Sequence, residues 1–299
     1  MTPPLRCALV QSVNAYRGMP SDRKDQSDLE RSMDRIREEN LRFQIALIEQ
    51  AAAEGARVVC LNELCIAPYF CFDEEPLWRR LAENAEAGPT ARALTRAAAA
   101  HGVVLIAPIY ELDRKLDQRF NTALVINEHG LLLGKYRKAH IPKGETESDG
   151  VNETFYFHPS CAEPYFPVFS TTAGKLGVCL GYDRHFDGVF AALAREGAQI
   201  VFAPGTEFGA KAKTLWESEA RTNAARHRLF IGQSNRMGAE RPWNRVFFGD
   251  SFFTGPDGGR LENLSRHPSL VISSLELAAQ SYPDPVGWDL PRDVRPDIY

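Results

Sequence analysis

Short apolar runs alternate along the chain with stretches of helical spacing. Residues 7–10, 58–61, 103–107, 123–126, 176–180, 200–203, 230–233 and 270–272 are continuous apolar runs of strand length, and they predict buried strands. Between them, Leu41, Ile45, Ile48 and Ala52 recur on one helical face, and Gly55 follows as a stop. Gly88-Pro89-Thr90 opens a second helix through the alanine-rich stretch 91–100. A third helix begins near Asp187, and a fourth covers roughly 212–227. Strands separated by helices predict βα units with helices outside the sheets, an α/β protein.

Two stretches break the pattern. Residues 143–165 are polar and rich in Gly, Pro and Glu, which predicts a long loop of the kind that often carries function. Residues 281–299 hold four prolines and little periodicity. They cannot form a core alone, so they are expected to pack as a tail across the domain or onto a partner subunit. Without an internal repeat or linker, residues 1–299 read as one domain.

Composition narrows the function classes. The 299 residues are 44% hydrophobic and 25% charged, with net charge -4 and a pI of about 6.0. No Lys/Arg run stands out, which argues against nucleic acid as a partner. The N-terminus lacks a basic segment followed by an apolar run, and no stretch reaches membrane-spanning length. The six cysteines lie mostly in apolar surroundings without CxxC pairs, as reduced, buried thiols of a cytoplasmic protein would. His and Cys lack zinc-like spacing, so neither a metal nor a cofactor is expected. There is no GxSxG elbow, Walker loop or dinucleotide fingerprint.

Four segments carry candidate chemistry. Val58-Val59-Cys60-Leu61-Asn62-Glu63 is an apolar strand ending in a carboxylate, at the end where α/β proteins place ligands. In Gly134-Lys135-Tyr136-Arg137-Lys138-Ala139-His140-Ile141-Pro142, Lys138 and His140 share a face if the segment is extended. Asn152-Glu153-Thr154-Phe155-Tyr156-Phe157 sets a lone acid before aromatics, and Lys175-Leu176-Gly177-Val178-Cys179-Leu180-Gly181-Tyr182-Asp183-Arg184-His185-Phe186 runs from a strand into a polar turn. Taken singly, Glu63 reads as a solvated cap and Lys138 as a surface lysine. His140 is either a satisfied core histidine or a group on the substrate side. Tyr69, Phe70 and Phe72 read as core rather than pocket wall.

In this order the four segments resemble the nitrilase (carbon–nitrogen hydrolase) superfamily, along almost the whole chain. Ser234-Asn235-Arg236-Met237-Gly238 and the closing Arg295-Pro296-Asp297-Ile298-Tyr299 resemble its β-ureidopropionase and N-carbamoyl amino acid or N-carbamoylputrescine amidohydrolase branch. The resemblance implies a four-layer α-β-β-α sandwich, a homodimer or larger assembly, and a small ureido or amide substrate. It also implies a mechanism: a cysteine attacks the C–N carbon, a glutamate takes the thiol proton and later activates water, and a lysine stabilises the oxyanion beside a backbone N–H. By motif, Glu63 matches the base, Lys138 the oxyanion cation and Glu153 the second acid. His140, Tyr182, Arg184 and Thr206 fall on the substrate side. Arg184 is suited to a substrate carboxylate, or else to a salt bridge with an acid such as Asp183.

The departure is at the nucleophile. The superfamily sets its cysteine directly before an aromatic–Asp pair, and here that position is Gly181, before Tyr182-Asp183. Cys179 is the alternative nucleophile. On a strand it shares the face of Gly181 but lies about 6–7 Å deeper, beyond near-attack reach of about 3–3.5 Å. Three functions follow: an N-carbamoyl-type hydrolase that is nucleophile-deficient or uses Cys179, a ligand- or partner-binding pseudoenzyme, and a site in which Glu63 activates a water lodged beside Gly181.

Overall fold

The computed structural model describes residues 4–142, 150–295 and 297–298, with the side chains of residues 27 and 28 excepted. In chain order the main elements are β1 (Leu5–Val10), α1 (Met33–Ala53), β2 (Val58–Cys60), α2 (Pro89–His101), β3 (Val104–Asp113), β4 (Gln118–Ile126), β5 (Leu132–Arg137) and a short α3 (Glu153–Tyr156). They continue with β6 (Val168–Thr171), β7 (Gly174–Val178), α4 (Asp187–Arg195), β8 (Ile200–Pro204), α5 (Ala210–His227), β9 (Phe230–Ser234), β10 (Met237–Glu240), β11 (Arg245–Phe248), β12 (Phe252–Thr254) and β13 (Leu270–Leu275).

Two sheets face each other. One has the order β13-β1-β2-β3-β4-β5 and the other β12-β9-β8-β7-β6, while β10 and β11 form a separate ribbon. Strand alternation sorts the apolar residues into layers. Cys7, Leu9, Val58, Cys60, Val104 and Ile106 of the first sheet meet Leu176, Val178, Leu180, Ile200, Phe202 and Phe230 of the second. The other face of the first sheet (Ala8, Val10, Val59, Leu105) packs on Leu47, Ile48 and Ala51 of α1 and Leu94 and Ala98 of α2. The other face of the second (Val201, Ala203, Ile231) packs on Val189, Phe190 and Leu193 of α4 and Trp216, Ala220 and Ala224 of α5. The result is the expected α-β-β-α sandwich. No helix among the described residues is long and apolar enough to cross a membrane.

Several elements differ from the sequence expectation. Helix α1 starts at Met33, well ahead of Leu41, because its inner face holds polar residues. Buried Asn40 donates to Asn14 (2.7 Å), and buried Gln44 donates to Ser12 (3.0 Å), so the apolar spacing set by buried Met33 and Ile36 is interrupted before Leu47. Strand β5 was not anticipated, since four of its six residues are only half-buried at the edge of its sheet. Within the expected loop 143–165, residues 143–149 lie outside the described residues, and α3 occupies part of the remainder. Pro296 and Tyr299 of the closing run also lie outside them. Cys161 is exposed rather than buried, unlike the other five cysteines. The tail packs against the end of α5, where Arg228 donates to the Trp288 carbonyl (3.2 Å), and leaves Val286 and Trp288 exposed.

The topology gathers chain ends at one place. β1, β2 and β3 run parallel, and β3–β4–β5 is an antiparallel meander, so β2 and β5 end on the same side. β7, β8 and β9 are also parallel. Glu63, Lys138, Gly181 and Thr206 each follow the carboxyl end of one of these strands.

Candidate active site

Lys138 lies between two carboxylates. Its Nζ donates to Glu63 Oε1 at 3.2 Å and to Glu153 Oε2 at 2.6 Å, and all three side chains are buried. The surface-lysine and solvated-cap readings are thereby corrected. Main-chain bonds fix the lysine from both sides: Lys138 N donates to Asn121 O of β4 (2.9 Å), and Ser160 N donates to Lys138 O (2.9 Å). Each acid has its own partners. Glu63 accepts from Asn121 Nδ2 (2.7 Å) and Thr206 Oγ1 (3.3 Å), and Glu153 accepts from the Tyr69 hydroxyl (2.7 Å).

Burial and charge divide the protons. Burial pushes the Glu63 carboxyl up; the Lys138 ammonium opposes this and Glu153 reinforces it, leaving Glu63 at about 7. For Lys138, burial alone would lower the ammonium, but Glu153 and then Glu63 outweigh it, and the lysine is held above its ordinary range. Lys138 therefore stays cationic near neutrality while Glu63 exchanges a proton. An ammonium has three donors, and two of them are committed to carboxylates. The third is committed to neither carboxylate.

Gly181 completes this cluster. It opens the 3-10 turn after β7 with φ +44, a left-handed conformation that favours glycine. A Cβ built there would stand 2.8 Å from Glu63 Oε2 and 3.2 Å from both Glu63 Oε1 and Lys138 Nζ. The structure thus brings Glu63, Lys138, Glu153, Gly181 and Thr206 together. The Glu63 carboxylate occupies the space directly beside Gly181.

Cys179 lies elsewhere. Its neighbours Val178 and Leu180 face the space between the sheets, whereas Cys179 packs with Phe190, Leu193 and Trp216 beneath α4 and α5. Burial, then Asp183, holds its thiol well above the ordinary range. Leu180 is still extended and the chain turns at Gly181, so alternation no longer relates the two positions.

The turn itself is pinned by Asp183. This buried carboxylate accepts from Leu180 N (2.9 Å), the Tyr136 hydroxyl (2.5 Å), and both N and Nδ1 of His140 (2.9 and 2.8 Å). His140 is half-buried and stacks on Phe186 with ring centroids 3.9 Å apart. Tyr182 is exposed, edge-on to His185 and Phe186 at 5.3 Å. Arg184 is buried, and its acids are not Asp183 but Glu207 (2.8 Å) and Glu219. Its guanidinium also lies over the Trp216 ring (5.2 Å).

Sequence reasoning missed Asn121, Asp183 as a hub, and Tyr69, which had read as core. Asn121 had no clear signal, because it sits in the polar first half of β4 beside Arg119 and Thr122, ahead of the apolar run 123–126. Tyr69 had none, because a buried tyrosine contributes to a core and donates a hydrogen bond at once.

The chain is similar to known proteins in sequence and in fold. At 30% identity over 85% of this chain, it is similar to the β-ureidopropionase of Arabidopsis thaliana, spanning only 64% of that protein's length. The N-carbamoylputrescine amidase of Arabidopsis thaliana is also 30% identical, over 85% of this chain and 86% of that one. A carbon-nitrogen hydrolase from Helicobacter pylori G27 superposes with a TM-score of 0.81, covering 99% of this chain and 96% of that one at 26% identity. The sequence model of the carbon-nitrogen hydrolase family matches residues 15–280, and the chain belongs to that family.

Proposed function

We propose that the protein binds the carbonyl of a small N-carbamoyl (ureido) or amide compound at Lys138 and forms no covalent thioester with it. The carrying observation is the glycine at position 181. The direction in which its side chain would point leads straight to Glu63 and Lys138, and no thiol lies along it. The buried thiols of Cys71 and Cys179 are both held well above the ordinary range, chiefly by burial, and supply little thiolate. Lys138 keeps its charge and a spare donor, which supports carbonyl binding. The ureido class is supported by the relatives' names, β-ureidopropionase and N-carbamoylputrescine amidase. The exposed tail residues Val286, Trp288 and Leu290 support association of copies into a homodimer or larger assembly.

A second reading is favoured by one observation, the Glu63 carboxyl near 7. A base poised at neutrality suits activation of a water that attacks the polarised carbonyl directly. Calorimetric titration with 3-ureidopropionate, N-carbamoylputrescine and propionamide, alongside ammonia release and intact-protein mass, separates these outcomes. Binding without adduct or ammonia fits the first reading. Ammonia without adduct favours the second. An adduct on any cysteine overturns both.

A further inference from the structure

We propose that the buried ion pair of Arg236 and Glu240 is a positioning device that sets the distance between Glu63 and Glu153 across Lys138. The inference deepens the reading above and rests on it for the role of the Glu63–Lys138–Glu153 cluster. Arg236 directly precedes β10, and Glu240 ends it; both side chains are buried. They bond to each other through Arg236 Nη1 and Glu240 Oε1.

The guanidinium of Arg236 and one carboxylate oxygen of Glu240 bond to the loop that leads to the site. Arg236 Nη2 donates to three carbonyls of one loop: Glu63 O (2.9 Å), Leu64 O (2.8 Å) and Ala67 O (2.7 Å). That loop bends through Leu64 at φ +51, which a leucine adopts only when its surroundings enforce it. Glu240 Oε2 accepts from Tyr69 N (2.8 Å), and Oε1 accepts from Asn14 N (2.9 Å). The loop therefore has both ends in the cluster. At one end is Glu63, bonded to Lys138; at the other is Tyr69, whose hydroxyl holds Glu153. One guanidinium fixes the first carboxylate through its own main chain. One carboxylate fixes the second through the tyrosine main chain. A planar fork of donors suits several carbonyls at once, which a lysine cannot reproduce.

The test reads the carboxylates themselves and needs no ligand. In protein labelled with 13C at glutamate carboxyls, the Glu63 and Glu153 resonances are assigned by their loss in Glu63→Gln and Glu153→Gln. Their titration midpoints are then followed by NMR in Arg236→Lys and Glu240→Gln. Phe253→Leu, a core change between the sheets, serves as a control for lost stability alone. The expected result is a shift of about one pH unit in at least one site carboxyl in both pair variants, with none in the control. Midpoints unchanged in the pair variants, or moved equally in Phe253→Leu, would overturn the proposal. If Arg236→Lys does not fold, Glu240→Gln decides alone, since its amide keeps one acceptor. Failure of the ligand-binding reading leaves this experiment unaffected.

Discussion

The Glu63 carboxylate lies where a side chain on Gly181 would begin: a Cβ at 181 would meet Glu63 Oε2 at 2.8 Å, closer than real Cβ contacts come. The acid that would deprotonate a nucleophile here fills the nucleophile's place. This follows from the turn after β7, which brings the main chain of residue 181 up to the buried carboxylate, and from the φ of +44 that glycine accepts without strain.

Among the described residues Lys138 is the sole cation bonded to either site carboxylate, so removing its charge is expected to be severe. Lys138→Met leaves Glu63 and Glu153 buried without their counter-ion, a loss of about 3–5 kcal/mol. The loss should be smaller at pH 5, where Glu63 is protonated. Urea denaturation at pH 5 and pH 8 measures both values. A loss below about 1 kcal/mol at pH 8 would mean that water reaches the pair.

Glu63 makes stability depend on pH, with a definite sign. Its carboxyl binds a proton more tightly in the folded chain, at about 7 against an ordinary 4.5. Between those values the folded chain holds a proton that the unfolded chain has released, so stability falls as pH rises through the window. At about 1.4 kcal/mol per unit, the full rise corresponds to about 3 kcal/mol. Lys138 remains charged throughout the window and adds no slope there. Glu63→Gln should therefore gain on the wild type between pH 4 and pH 8. Parallel stability curves for the two proteins would contradict the assignment.

Cys179→Ala is expected to cost about 1 kcal/mol through a small cavity under α4 and α5. It should leave ureido binding within twofold of the wild type, because Cys179 packs away from the Lys138 cluster. Abolished binding in a folded variant would put the thiol back in the site.

The layers of the fold were legible because burial on both faces writes continuous apolar runs, as in β8. Glu63 was legible because a charged residue ends such a run after β2, whereas Lys138 follows the charged, unanticipated strand β5 and was marked only by the family resemblance. What sequence could not give was direction. Cys179 and Gly181 are two residues apart and would share a face on a continuing strand, yet the chain turns at Gly181, which meets Glu63 and Lys138 while Cys179 packs beneath α4 and α5. Nor did the pattern reveal whether Arg184 was free, because its partners Glu207 and Glu219 lie in and beyond the loop after β8.

The glycine at 181 leads to the sharpest prediction. Gly181→Cys restores a thiol at the turn, beside a base at about 7 and a buried cation. Both neighbours favour thiolate formation, the carboxylate by accepting the proton and the ammonium by its charge. The substitution also places a side chain at φ +44 and forces the Glu63 carboxylate to retreat, so folding stability should drop by about 1–3 kcal/mol. Gly181→Ala should show the same loss without the thiol, which separates strain from chemistry. If the rest of the cluster is catalytically competent, ammonia release from a ureido or amide compound should rise by about two or more orders of magnitude in the cysteine variant alone. A covalent adduct at residue 181 should then be visible in intact-protein mass. A folded Gly181→Cys variant that binds 3-ureidopropionate as the wild type does, yet releases no more ammonia and traps no adduct, would show that Glu63, Lys138 and Glu153 no longer form a hydrolytic set.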